Sequence, residues 1–179
     1  MTPLILTLAL DATAEAFFEA ARRRWFPPER NLIPAHVTLF HHLPGDDLAQ
    51  VKAALKQRCA EQRPAPVRVD GLRFLGRGVA YSLAAPDVAA FRAALAASWA
   101  GALTAQDRQP WRPHVTVQNK ADPAEARALH ERLLAAFVPF SATAVGVRLW
   151  RYRGGPWEPE HAYAFGGGQA AASGDMREA

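Results

Sequence analysis

Anchor residues in this chain return at a nearly constant interval, which restricts it to folds built from two similar halves. Phe17 and Trp25 recur 74 residues later as Phe91 and Trp99. His36 recurs 78 residues later as His114, and Gly71 recurs after 75 residues as Gly146. Leu8-Ala9-Leu10-Asp11 is echoed by Leu83-Ala84-Ala85-Pro86-Asp87, and Asp70-Gly71-Leu72-Arg73 by Val145-Gly146-Val147-Arg148. Chance repetition of one short motif does not hold its spacing over a whole half.

The local signals repeat in the same order. Leu4–Leu10 is an apolar run of strand formers, followed by a helix that Asp11 or Thr13 caps and Pro27-Pro28 stops near Trp25. A strand over Ile33–Leu43, a turn at Pro44–Asp47, a helix over Leu48–Gln62 and a strand over Val67–Leu75 complete the first pass. Gly76-Arg77-Gly78 then turns into a strand over Val79–Ala84. A helix from Pro86-Asp87 to Trp99, a strand over Pro113–Lys120, a helix from Asp122-Pro123 to Phe137 and a strand over Ser141–Tyr152 make the second pass. A closing strand falls over Glu160–Phe165. The expected fold is α+β: an internally duplicated, bilobed domain over residues 1–165, with halves at about 3–76 and 78–153. Two antiparallel sheets would face a central groove, with helices outside. The stretch 166–179 has no core-forming pattern and is expected to be a disordered tail.

Composition narrows the class without naming a function. Half of the 179 residues are hydrophobic and the formal charge is +4, so the chain can bury a core and tolerate a phosphate-bearing ligand. Cys59 is the single cysteine and has no partner for an internal disulfide, which fits a reducing compartment. The apolar start reads as a first strand and not as a leader, and no run is long enough to span a bilayer. A cytoplasmic monomer is the expectation.

The chemistry concentrates in His36-Val37-Thr38 and His114-Val115-Thr116. Residues i and i+2 of a strand share a face, so each histidine emerges beside its threonine while the valine points into the core. Fold duplication would bring the two pairs to one groove. One neutral imidazole can then take a proton from an attacking water or hydroxyl, and the other, protonated, can give one to the leaving oxygen. The threonine hydroxyls can bond non-bridging phosphate oxygens. A single His-x-Thr is more readily a part-buried strand residue. Two copies at matching repeat positions have no structural reason to persist.

His36-Val37-Thr38-Leu39 and His114-Val115-Thr116-Val117 resemble the paired His-x-Thr/Ser-x motifs of the two-histidine phosphoesterase superfamily. With Ile33-Pro34-Ala35 and Trp111-Arg112-Pro113 before them, they look most like the bacterial 2′-5′ RNA ligase/RNA 2′,3′-cyclic phosphodiesterase group. The resemblance covers about residues 3–166. It implies a bilobed fold, no cofactor and hydrolysis of a 2′,3′-cyclic phosphate on an RNA end or nucleotide to a 2′-phosphate. Some relatives also join RNA ends through a 2′-5′ linkage without ATP. On this resemblance His36 and His114 are the acid/base pair, in either order, and Thr38 and Thr116 bind the phosphate. A different cyclic phosphate, of ADP-ribose type, or a non-catalytic RNA-binding module would keep the same residues.

Beyond the motifs, strand parity places Phe40 and His42 on the face of His36, and Gln118 and Lys120 on the face of His114. Phe40 could stack on a base or cap the groove floor. His42 and Lys120 could meet phosphate. Trp111 and Arg112 adjoin the second motif, and Trp111, Tyr81 and Trp157 are possible stacking platforms. Arg22-Arg23-Arg24 reads as a solvated helix end, and Asp107 as an isolated acid. His36, His41, His42 and His114 could be imagined around zinc, but there is no His-Glu-x-x-His signature and no carboxylate beside either motif.

Overall fold

Leu4–Leu10 forms strand β1 and is buried along its whole length in the computed structural model, which describes residues 2–166. The expectation for the tail beyond Gly166 lies outside the described residues. Helix α1 (Ala12–Trp25) follows, with the Asp11 carboxylate accepting from the Ala14 amide as its N-cap. Asp11 also accepts from the Thr143 amide at 2.6 Å, so one side chain starts the helix and holds it to the sheet. Next come β2 (Val37–Leu43), α2 (Leu48–Glu61), β3 (Ala65–Phe74), β4 (Val79–Ala84) and α3 (Pro86–Ser98). The chain continues through β5 (His114–Gln118), α4 (Pro123–Ala135), β6 (Phe140–Arg151) and β7 (Glu158–Ala164). The order β-α-β-α-β therefore occurs twice before β7.

All strand pairs are antiparallel, in the order β2-β1-β6-β3-β4-β5, with β7 also on β6. The third strand of each pass pairs with the first strand of the other: β6 with β1, and β3 with β4. The fold is α+β, as expected, but its strands form one seven-stranded sheet and not two. The cause is the length of β6. Along one edge its 12 residues pair first with β3 and then with β7, while β1 lies along the other.

Alternation along β1 sorts the two faces. Leu4, Leu6, Leu8 and Leu10 enter the main core with Phe18, Leu55, Phe91 and Leu95 from three helices. At roughly 1.5–3 kcal/mol for each large apolar side chain, such a face outweighs any local preference. Thr7 points the other way, in register with Thr38 on β2 and Arg148 on β6. β2 and β5 end the strand order, yet they approach each other, so the sheet curls its two edges together. That curl brings the two motif strands together.

Candidate active site

Each motif strand carries the same irregularity directly after its threonine. On β2, Thr38 pairs with Thr7 and Phe40 with Leu6, leaving Leu39 as the extra residue. On β5, Thr116 pairs with Ala80 and Gln118 with Val79, leaving Val117 as the extra residue. A bulge of this kind puts two residues opposite one and reverses the parity beyond it. Gly78 lies against the second bulge, where a Cβ would overlap the Gln118 carbonyl.

The bulges explain where the flanking candidates fall. His36 and Thr38, like His114 and Thr116, keep partial exposure. Phe40 is fully buried, packed edge-on against Trp99 and covered by the Arg92 guanidinium, so it cannot receive a base. Gln118 is turned inward likewise, buried with its Oε1 unpartnered. Lys120 lies past the end of β5 at φ 58, where strand parity no longer applies, and its side chain is exposed. His42 is exposed at the strand end, whereas His41 is the residue whose charge reaches His36. Regular alternation was the wrong assumption beyond Thr38 and Thr116.

Both histidines are held in one way. His36 Nδ1 lies 2.8 Å from the Pro34 carbonyl oxygen, and His114 Nδ1 lies 2.8 Å from that of Arg112. A carbonyl oxygen only accepts, so Nδ1 carries the hydrogen on each ring and Nε2 is left for chemistry. The Arg112 side chain itself is exposed. Burial pushes His36 down to about 4, with smaller contributions from the charges of Arg22, His114 and His41, and the Pro34 carbonyl opposing. His36 is therefore neutral at neutral pH. The Trp157 ring lies 4.7 Å from the His36 ring, centroid to centroid.

The two motifs are also tied to each other. Trp111, just before the second motif, donates its indole N–H to the Thr38 carbonyl at 2.9 Å. Arg22 of α1 donates to the Thr116 carbonyl at 2.8 Å, and its Nε lies 2.8 Å from Asn31 Oδ1 and 3.2 Å from the Ile33 carbonyl. One buried guanidinium thus joins the approach to His36 to the threonine of the second motif. This corrects the solvated reading of Arg22, which is 3% exposed, while Arg23 and Arg24 do face solvent. Its position was legible: Ala14, Phe18 and Arg22 recur every four residues on the buried stripe of α1.

Asp107 is not isolated. Its carboxylate accepts from the backbone amides of His41 and His42 at 2.8 and 2.9 Å, and lies 3.2 Å from His41 Nδ1. Burial alone would raise this carboxyl, but those hydrogen bonds outweigh it and hold the group below its usual range. Arg92 completes the clamp by donating to the Leu39 and Asp107 carbonyls. Tyr81 belongs to the core, and burial pushes the Cys59 thiol up to about 12, so neither serves the groove. Among the described residues no three His, Cys, Asp or Glu side chains gather as a metal would require.

A pair of braced histidines beside paired threonines has a counterpart at the family level. The family model described as the 2′-5′ RNA ligase superfamily matches residues 10–156. The chain belongs to that superfamily. It is accordingly a phosphoesterase of the two-histidine type. No match is found among curated proteins. A solved structure from Thermus thermophilus is similar at TM-score 0.62 and 17% identity, covering 93% of this chain and 99% of that one. Escherichia coli LigT complexed with 3′-AMP is similar at TM-score 0.56 and 18% identity, covering 92% of this chain and 98% of that one. At such identities these structures support the fold. Among the described residues, no helix is long and apolar enough to cross a membrane.

Proposed function

We propose that the protein hydrolyses 2′,3′-cyclic phosphates on RNA ends or nucleotides to 2′-phosphates, with His36, His114, Thr38 and Thr116 as its reacting groups. The observation that carries this is the matched bracing of the two imidazoles, each with Nδ1 on the carbonyl two residues before it. His36, kept neutral by burial, takes the proton of a water that attacks phosphorus. A P–O bond forms to that water, the P–O3′ bond breaks, and His114 protonates the departing O3′. Thr38 and Thr116 bond the non-bridging oxygens as negative charge builds there. An RNA 5′-hydroxyl in place of water would give a 2′-5′ linkage by the same exchange, without ATP.

The test is hydrolysis of a 2′,3′-cyclic mononucleotide by the wild type, His36→Ala and His114→Ala, with phosphorus NMR to identify the product. Each substitution should lower turnover by about 100-fold or more. The product should be the 2′-phosphate, and turnover should persist in chelator. Unchanged turnover in both variants would end the proposal.

A further inference from the structure

We propose that the cavity between α1 and the β6–β7 ladder is a subsite for the nucleoside preceding the cyclic-phosphate-bearing one, so that RNA 3′ ends are preferred to mononucleotides. This rests on the phosphodiesterase reading above and specifies its substrate class. The cavity holds about 750 Å³, and its walls include Ala16, Ala35, Trp150, Pro159 and Ala162. That volume exceeds one nucleoside.

Its position follows from strand register. Thr38, Thr7, Arg148 and Ala162 are successive cross-strand partners on β2, β1, β6 and β7, so they share one face of the sheet. At about 4.8 Å between strands, Arg148 and Ala162 lie roughly 10–14 Å from Thr38, the reach of an adjoining nucleotide. Trp150 is fixed on the same side, its indole N–H donating to Thr7 Oγ1 at 2.8 Å. At the other end, Pro34 and Ala35 line the cavity and lead directly into His36. The cavity therefore begins beside the first motif, at the two residues that precede His36.

Its chemistry suits a nucleoside better than a phosphate. The Arg148 guanidinium is spent on Glu15, at 2.6 and 2.9 Å. One Glu19 oxygen holds the Ala35 amide at 2.8 Å, leaving the other to accept from a base amino group. With Arg148 closed on Glu15, and Glu160 held by Lys52 and Arg151, the remaining walls offer mainly apolar surface, with Glu19 as an acceptor, as small-molecule sites do. Arg23 at the mouth is mostly exposed, and its Nε, 4.0 Å from Glu19 Oε1, is beyond hydrogen-bond distance, so it can turn to the linking phosphodiester.

The experiment compares kcat/KM for a dinucleotide ending in a 2′,3′-cyclic phosphate with that for the 2′,3′-cyclic mononucleotide. Wild type should prefer the dinucleotide by about tenfold or more, the scale of one buried base contact. Ala16→Trp and Ala162→Trp fill the cavity from opposite walls, and Ala16 is an exposed helix position that tolerates bulk. Both should bring the ratio towards one. A wild-type ratio near one, or a ratio that survives both substitutions, overturns the subsite while leaving the phosphodiesterase reading intact. Hydrolysis of neither substrate brings down both.

Discussion

The two motif strands share their local geometry but not their surroundings. On both, a histidine is braced to the carbonyl two residues back, a bulge follows the threonine, and a side chain from elsewhere caps the threonine carbonyl. On β2 the cap is the indole of Trp111; on β5 it is the guanidinium of Arg22. Trp157 covers His36, and the Asp107 clamp fixes the end of β2, whereas β5 stops after five residues at Gln118. Strand and bulge are matters of backbone register, which a repeated pattern reproduces. Burial and charge come from neighbours outside the repeat. A two-step proton transfer needs that difference, because its two imidazoles must be in opposite states at once.

The largest test of the difference is Arg22. Its replacement by Met leaves the half-buried Thr116 and Ile33 carbonyls and the Asn31 amide oxygen without the donor that the buried guanidinium supplies. Unsatisfied buried acceptors cost about 1–3 kcal/mol each, and relaxation recovers part, so a loss of about 3 kcal/mol is expected in urea unfolding. Turnover should fall at least tenfold, because Thr116 and the approach to His36 lose a shared anchor. An Arg22→Met protein with wild-type stability and turnover would show that the cross-brace does nothing.

The next test follows from the environment of His36. In the unfolded chain a histidine takes up its proton near pH 6.5, whereas folded His36 does so only near about 4. Between those values the unfolded state binds more protons, so stability falls as pH drops through that window and levels off below it. The contribution is about 2 kcal/mol once the partial exposure of the ring is allowed for. Urea unfolding at pH 7 and pH 4.5 should show the loss in wild type and much less of it in His36→Gln. Equal losses would mean that the two motifs differ less than their surroundings imply.

What the sequence revealed and what it hid divides along the same line. The order of elements was readable because apolar periodicity and Pro, Gly and Asp punctuation are local. The shared face of His36 with Thr38, and of His114 with Thr116, needs only two residues of regular strand. Parity failed at Phe40 and Gln118, because a bulge is a feature of pairing and leaves no mark in one strand's own residues. The join of all strands through β6 was hidden for a related reason: which strand lies beside which is decided by packing across the chain. Arg22 was within reach, since its four-residue spacing from Phe18 places it on the buried stripe. The Asp107 clamp was not, because its partners lie 65 and 66 residues away.

The smallest test concerns Trp111, where two roles separate cleanly. Phe at this position keeps a large ring against the core but removes the indole N–H that the Thr38 carbonyl accepts. The loss of one hydrogen bond should cost about 1 kcal/mol of stability. If Trp111 acts as a brace, the substitution should lower kcat a few-fold by loosening Thr38, with KM nearly unchanged. If it were instead a stacking platform for a base, Phe would retain the stacking face and leave kcat and KM near wild type, while Ala would raise KM. A kcat effect from Phe places Trp111 with Arg22, as the lighter half of one cross-brace holding two edge strands in register.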